Sequence, residues 1–270
     1  KAAEKNRTQL VFTSAPRGRF FDRKGRLIAS NRASFSLVYL PGAAMEEADL
    51  DRLAKALAPA LKASPEDMLG TLKLSSRRGT PVRLAQGLSR EIMFRLSELK
   101  TLYPGVNLVV EAQRDYPYGA FASHTVGFLG DMDSRSLNRL KDVEGYRMDS
   151  KIGKAGLERL YERDLRGMDG GIQLEVDARG RLKQVLSRVP SRPGNDLALT
   201  IDADVQRAAE AALRRSNTGK GAVVAMDPAT GRLLALASVP DFDPNWFVEL
   251  PTERSPGVLK HVPEFNLALQ

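Results

Sequence analysis

The chain is 270 residues long, 42% hydrophobic and 27% charged, which suits one large or two modest globular domains with an ordinary core. Its 41 Lys and Arg outnumber 33 Asp and Glu, a formal net charge of +8, so an anionic neighbour is expected: nucleic acid, lipid headgroups or an acidic polymer. With no cysteine and only His124 and His261, thiolate metal sites are excluded and a histidine-based zinc site is disfavoured, while the redox compartment stays open.

No stretch approaches the roughly 20 apolar residues of a membrane span, and no secretory leader opens the chain. The first residues, KAAEKNRTQL, are polar and helical in composition and read as the middle of a longer polypeptide, with an anchor expected upstream. From Val11 to Gly42 a β region is predicted: RFFD and RLIAS flank a turn at Arg23-Lys24-Gly25, SFSLVYL follows, and Pro41-Gly42 ends it. Leu50, Leu53, Leu57 and Leu61 recur at helical spacing, and Ser64-Pro65-Glu66-Asp67 supplies the cap, first-turn proline and acidic residue that open a second helix. Ser89 caps a third, with Ile92, Leu96 and Leu99 on one face and Glu91, Arg95, Glu98 and Lys100 toward the other, stopped by Tyr103-Pro104-Gly105.

That third helix contains Ser97-Glu98-Leu99-Lys100, the Ser-x-x-Lys spacing of a serine nucleophile and its activating lysine. Its face is charged and the helix ends at once, so a solvated surface is the expectation. Ser136-Leu137-Asn138 mimics the second signature of that enzyme class, Ser-x-Asn, but Lys-Thr-Gly is absent and Thr218-Gly219-Lys220 has the letters in the wrong order. A catalytic set is therefore not assembled from these pieces. Nucleic acid is disfavoured as the anionic neighbour, because the arginines are dispersed and the densest run, Arg77-Arg78, has no aromatic residue beside it to stack a base.

NLVVEAQRDYPYG and HTVGFLGDM are β-leaning runs, and His124 at the start of the second reads as a hydrogen-bonded structural histidine. Asp131-Met132-Asp133 begins like a calcium loop, but Arg135 stands at the third ligand position and no glycine follows. Gly153-Lys154-Ala155 lacks the earlier glycine and the following Ser or Thr of a phosphate loop. The next helix is read with Leu157, Leu160, Tyr161 and Leu165 on its apolar side and Glu158, Arg159, Glu162 and Arg163 on the other. IQLEVDARGRLKQVLSRV is a hairpin turning at Ala178-Arg179-Gly180, and Pro190-Ser191-Arg192-Pro193-Gly194 is the predicted domain boundary. Asp202 caps a helix expected to bury Val205, Ala209, Ala212 and Leu213, and GAVVAM and RLLALASV form a hairpin closed at Asp227-Pro228-Ala229-Thr230-Gly231. Its strands are apolar on both faces, GAVVAM more so, which predicts a sheet covered on both sides. Asp241 and Asp243 sit in a turn framed by Pro240 and Pro244, and Trp246 and Phe247 after it are expected in the core.

Taken in order, APRGRFFDRKGRLIASN, RDYPYGAFASHTVGFLG, GKAGLERLYERDLRG, EVDARGR, LALTIDADVQ, GAVVAMDPATGRLLALASVPDFDPNWF and NLALQ resemble the successive blocks of the class B penicillin-binding proteins over about the whole chain. EVDARGR after GLERLYE is more similar to the elongation type, penicillin-binding protein 2, than to the division type. The resemblance implies an α+β fold: an elongated, multi-subdomain pedestal of anchor strands and an α/β head, followed by the first helix and β-hairpin of an incomplete transpeptidase domain. Its divisions are expected at 1–40 for membrane-proximal anchor strands, 41–150 for the head, 151–194 for a return segment and 195–270 for the start of the transpeptidase domain.

The implied activity is peptidoglycan D,D-transpeptidation by an acyl-enzyme during elongation and cell-shape maintenance, with no cofactor. In the family the nucleophilic serine follows the block that matches NLALQ, so it is expected just beyond Gln270, and these 270 residues are expected to hold no catalytic residue. Arg17, Gly18, Asp22, Arg23 and Gly25 match anchor-strand positions, and Arg114, Tyr116 and His124 match positions in the head. The resemblance implies partner-binding or structural roles for them, with partner contact and internal salt bridging both open for the arginines. The implied partners are a SEDS-family glycosyltransferase of RodA type in the membrane, a cell-shape scaffold protein on the pedestal and, for the whole enzyme, peptidoglycan stem peptides. The implied location is the periplasmic side of a bacterial inner membrane. A division-type class B protein and a non-catalytic interaction module are the alternatives.

Overall fold

A computed structural model of the chain describes residues 7–41, 46–61, 63–103, 105–140, 145–147, 149–177 and 182–248. Strands β1 (Arg7–Thr13), β2 (Phe20–Phe21) and β3 (Leu27–Tyr39) lead into helices α1 (Glu47–Leu61) and α2 (Pro65–Arg78). Then come β4 (Val82–Leu88), α3 (Arg90–Leu102), β5 (Val106–Asp115), α4 (Ser123–Val126), β6 (Leu129–Asp131), α5 (Ser134–Leu140) and β7 (Lys151–Gly153). The short α6 (Gly156–Leu160) and α7 (Glu162–Leu165) precede β8 (Gly170–Val176) and β9 (Leu182–Val189). The last described elements are β10 (Leu197–Ala198), α8 (Ala203–Arg214), β11 (Gly221–Met226), β12 (Leu233–Val239) and α9 (Asn245–Val248). The fold is a mixture of α and β throughout, and among the described residues no helix is long and apolar enough to cross a membrane.

The chain divides into two compact units, one of residues 1–15, 33–113 and 169–192 and the other of 16–32, 114–168 and 193–270. In the first, the leucine spacing of α1 delivers Leu50, Leu53 and Leu57 to a core shared with Met68 and Leu72 of α2, Leu96 of α3, Leu37 and Tyr39 of β3, and Val106. α2 opens where its sequence says: the Ser64 hydroxyl accepts from the Asp67 amide at 3.4 Å, Pro65 takes the first turn, and Gly79 closes it in the left-handed region at φ 65°. Ser89 caps α3 in the same way through the Ile92 amide at 3.3 Å. β8 lies between β1 and β9 in an antiparallel sheet whose inner residues Val11, Leu174 and Val176 meet Val38 and Leu40.

In the second unit, β2 is flanked by β10, parallel to it, and by the first residues of β3. Phe20, Ile28, Ala29, Tyr116, Phe121, Val126, Leu165 and Ala203 form its core. Phe128 stacks on Phe247 at 3.9 Å between ring centroids, and Phe242 meets both edge-on.

Several expectations change. His124 belongs to the helical turn α4, and only Leu129–Asp131 of its run is a strand. α8 buries Ala203, Gln206 and Glu210, while Val205 is 36% exposed and Ala212 is exposed, because the Gln206 amide completes the edge of β12: its Nε2 donates to the Leu236 carbonyl at 3.2 Å and its Oε1 accepts from the Leu236 amide at 2.8 Å. In the hairpin, β12 is the strand buried over consecutive residues, and β11 leaves Val224 and Met226 more than half exposed. Phe247 is in the core but Trp246 is 45% exposed. Gly42, Pro104, the turn at 178–180 and the NLALQ block lie outside the described residues.

Leu72 is fully buried and Leu74, on the other side of α2, is 48% exposed. Leu72→Ala should lower stability by about 2–5 kcal/mol and Leu74→Ala by roughly 0.5 kcal/mol or less, read from urea unfolding followed by far-UV circular dichroism. Equal losses would show that the α1–α2 core is not packed as described.

Candidate functional site

Ala15-Pro16-Arg17-Gly18 enters the second unit as an extended segment held on both sides. The Asn31 side chain accepts from the Arg17 amide at 3.1 Å and donates to the Arg17 carbonyl at 2.7 Å. The Gly18 amide donates to the Leu165 carbonyl at 2.8 Å, and a Cβ at Gly18 would stand 1.8 Å from the Asn195 carbonyl oxygen, so only glycine fits this approach.

Arg17 thereby places its guanidinium inside the unit, where it meets two carboxylates. Its Nε donates to Glu158 Oε2 at 2.5 Å and its Nη2 to Glu162 Oε2 at 2.6 Å and to the Glu158 carbonyl at 2.8 Å. From the end of β5, Arg114 reaches the other oxygen of Glu158 through Nε at 2.7 Å and the Gly18 carbonyl through Nη1 at 2.7 Å, with its guanidinium 4.8 Å from the Phe20 ring centroid. The Tyr116 hydroxyl donates to Glu158 Oε1 at 3.1 Å, the Tyr146 hydroxyl to Glu162 Oε1 at 3.0 Å, and the Gly153 amide to Glu162 Oε2 at 2.8 Å. Glu158 is 0% exposed. Two guanidiniums and two carboxylates leave this interior cluster neutral, which is the condition for burying such groups.

Burial alone would lower the Arg17 pKa, but Glu158 and Glu162 outweigh it and hold the guanidinium more firmly charged than in water. Burial and the negative charge of Glu158 push the Tyr116 hydroxyl well above its usual range, so it acts as a donor and not as a base. Arg17, Gly18, Arg114 and Tyr116 are thus brought together, facing inward.

Glu158 and Glu162 are the residues the amphipathic reading missed. It placed them on the polar side of a single helix and Leu160 and Tyr161 on the apolar side. The helix breaks at Tyr161 (φ −102°, ψ 28°), turning Leu160 (73% exposed) and Tyr161 outward and both carboxylates inward to the arginines. The usable signal was the i, i+4 spacing of the two acids opposite two arginines far away in sequence, and periodicity does not register it.

Asp22 organises a second site. Its buried carboxylate accepts from the amides of Lys24 and Arg26, both at 2.8 Å, from Arg26 Nε at 2.8 Å and from the Ala203 amide at 3.3 Å. Burial raises its pKa, and these donors lower it further than burial raises it. Gly25 supplies the positive φ, 77°, that closes the turn. Lys24 and Arg26 then pair with Asp202 and Asp204 at the start of α8, whose cap is Asp202 accepting from the Asp204 amide at 3.0 Å. Arg23 lies exposed on the same turn, its amide bonded to the Ile201 carbonyl at 3.0 Å.

His124 stands apart from both clusters. Its Nε2 is 2.9 Å from the Pro240 carbonyl and its ring meets Phe242 edge-on, and among the described residues no nucleophile is bonded to it. Ser97 donates to the Phe94 carbonyl at 2.6 Å on an exposed helix face, and the Lys100 side chain lies outside what is described. Asp131 and Asp133 pair with Lys151 and Lys154. Asp227 accepts from the Ala229 amide and the Thr230 hydroxyl as a turn residue.

Glu158→Ala leaves two guanidiniums without their shared partner and should cost about 3–5 kcal/mol, measured by urea unfolding followed through Trp246, the single tryptophan, which lies in the same unit. Adding Arg114→Met should cost less than the sum of the two changes, because the residues touch. An additive result would mean that the cluster is not coupled. A second expectation concerns acid. Hydrogen bonds from Arg26 and then Lys24 hold Asp204 at about 2, below the usual aspartate value of about 3.9, so its contribution is complete above about pH 4 and disappears as pH falls toward 2. Asp204→Asn should flatten the stability profile of this unit in that window alone.

The sequence profile described as the Penicillin-binding Protein dimerisation domain matches residues 12–199, more than half of the chain and including Arg17, Asp22, Arg114, Glu158 and Glu162. The peptidoglycan D,D-transpeptidase MrdA of Salmonella typhimurium is 33% identical over 264 residues, covering 96% of this chain and 41% of that protein. The complex of penicillin-binding protein PBP2 and MreC from Helicobacter pylori contains a chain of similar fold, with a TM-score of 0.70 at 23% identity over 98% of this chain and 48% of that one. A peptidoglycan synthase complex coordinating polymerization and crosslinking contains another, with a TM-score of 0.61 at 30% identity, 98% of this chain and 45% of that one. The chain spans less than half the length of each of these proteins. With its fold and the extent of the profile match, the chain belongs to the penicillin-binding protein dimerisation domain family.

Proposed function

We propose that these residues form the pedestal, and the opening of the following domain, of an elongation-type peptidoglycan D,D-transpeptidase. The observation that carries this is the 33% identity to MrdA over 96% of the chain, which runs through the pedestal blocks and on into α8 and the β11–β12 hairpin. The inward-facing ionic cluster supports a mechanical part: these residues fix the path of the chain and offer no nucleophile paired with a base. The 270 residues contain no Lys-Thr-Gly triplet.

The chemistry proposed for the whole protein is acyl transfer. A serine activated by a lysine attacks the carbonyl of a stem peptide, backbone amides hold the oxyanion, and an amine of a second stem peptide releases the acyl-enzyme. In this reading those groups belong to the part of the relatives that the chain does not span. The divisions at 1–40, 41–150, 151–194 and 195–270 are proposed with it, as are a position on the periplasmic side of the inner membrane and structural or partner-facing roles for the exposed Arg23 and Gly25.

The PBP2–MreC complex supports a cell-shape scaffold protein as one partner, and the synthase complex supports a polymerising glycosyltransferase as the other, for which the SEDS family of RodA type is the proposed identity. Fluorescent penicillin tests the assignment. The 270-residue chain should stay unlabelled, and the longer product of the same gene should be acylated at one serine. A longer product that is not labelled removes the enzymatic reading, and labelling of the 270-residue chain removes the placement of the nucleophile.

A further inference from the structure

Beside the Asp22 turn the second unit has an open pocket of about 440 Å³ that neither ionic cluster fills. Its walls are the turn, the segment after β10 and the closed end of the β11–β12 hairpin, with Phe21, Leu199 and Leu234 as an apolar floor and Arg23, Arg232 and Asp227 at the rim. The volume falls within the roughly 300–1,000 Å³ of small-molecule sites. The walls are fastened to each other: the Thr200 hydroxyl donates to the Leu233 carbonyl at 2.6 Å, the Asp202 amide to the Leu234 carbonyl at 2.8 Å, and the Leu199 amide to the Phe21 carbonyl at 2.8 Å.

The charges around the pocket are unevenly used. Arg19 is paired with Asp196, and Lys24 and Arg26 with Asp202 and Asp204. Arg23 and Arg232 make no side-chain hydrogen bond or ion pair among the described residues, and the charge of Arg23 acts on Asp227 from a distance. Asp227 accepts inside its own turn from the Ala229 amide and from the hydroxyl and amide of Thr230, which still leaves a carboxylate lone pair that can accept from a ligand.

Two unpaired guanidiniums over an apolar floor suit an oxyanion attached to a small apolar body. A phosphate dianion fits poorly, since it would lie near Asp227 and leave Phe21, Leu199 and Leu234 uncovered. A carboxylate carries one charge, and a peptide attached to it brings apolar side chains for the floor and N–H groups for Asp227. We propose that this pocket binds the free carboxylate end of a short apolar peptide segment, with Arg23 and Arg232 on the carboxylate and Asp227 on a peptide N–H. This assignment does not depend on the enzymatic reading above.

The test is a titration of the 270-residue chain, followed by ¹H–¹⁵N NMR, with N-acetyl-Leu-Ala as the free acid, with its C-terminal amide and with inorganic phosphate. The acid should bind with a dissociation constant on the order of a millimolar and shift resonances of the Asp22 turn and the 227–234 hairpin, and the amide should bind about tenfold or more weakly. Arg23→Gln and Arg232→Gln should each weaken the acid about fivefold or more and leave the melting temperature unchanged, since both side chains are exposed and unpaired. Equal binding of acid and amide, no binding of the acid up to about 10 mM, or wild-type affinity in both variants would overturn the proposal. Phosphate binding as tightly as the acid and in competition with it would overturn the peptide assignment.

Discussion

Glu158 has no exposure to solvent and bonds two guanidiniums at once, from residues 44 and 141 positions away in the sequence. A carboxylate in that position is tolerable only while both cations are present, since an unpaired buried charge is far costlier than the pair. The requirement fixes several things together. Arg17 must enter beside Leu165 and Asn195, which leaves room only for glycine at position 18, and β5 must end where Arg114 can reach the Gly18 carbonyl. Glu158 and Glu162, four positions apart on either side of the break at Tyr161, must both face the guanidinium of Arg17. The short segments 16–18, 114–116 and 153–162 are thereby tied to each other more tightly than their few apolar residues could manage.

A similar logic with weaker numbers operates at the Asp22 turn. There one buried carboxylate organises the backbone of its own turn and borrows the amide of Ala203, while Lys24 and Arg26 spend their charge on the start of α8. These outer pairs are exposed and individually contribute little. Their effect is selective: they neutralise the acids of α8 and leave Arg23 as the unpaired cation of the turn, beside an apolar pocket. For a protein with a net charge of +8, which arginines are consumed internally and which stay outside decides what the surface can recognise.

The residues of the family blocks therefore divide into two kinds. Arg17, Gly18, Arg114 and Tyr116 are engaged inside the second unit by carboxylates and carbonyls, and His124 by a carbonyl and an aromatic edge. Arg23 and Gly25 remain on the surface. Internal charge pairing accounts for much of the charge that these blocks carry.

The sequence by itself determined the elements whose signals are local. The leucine spacing of α1, the Ser64 and Ser89 caps, the Arg23-Lys24-Gly25 turn and the Asp227 turn all follow from groups within a few residues of each other, so the information is contiguous. The family blocks were legible for the same reason. The tertiary structure alone decided which faces are buried wherever a polar group is satisfied by a distant partner. Glu158 and Glu162 lie inside because Arg17 and Arg114 arrive there, Gln206 lies inside because the edge of β12 needs an amide, and Leu160 and Val205 face out in consequence. Hydrophobic periodicity assumes that charge belongs in water, and that assumption fails wherever hydrogen bonds between residues far apart in sequence replace the water.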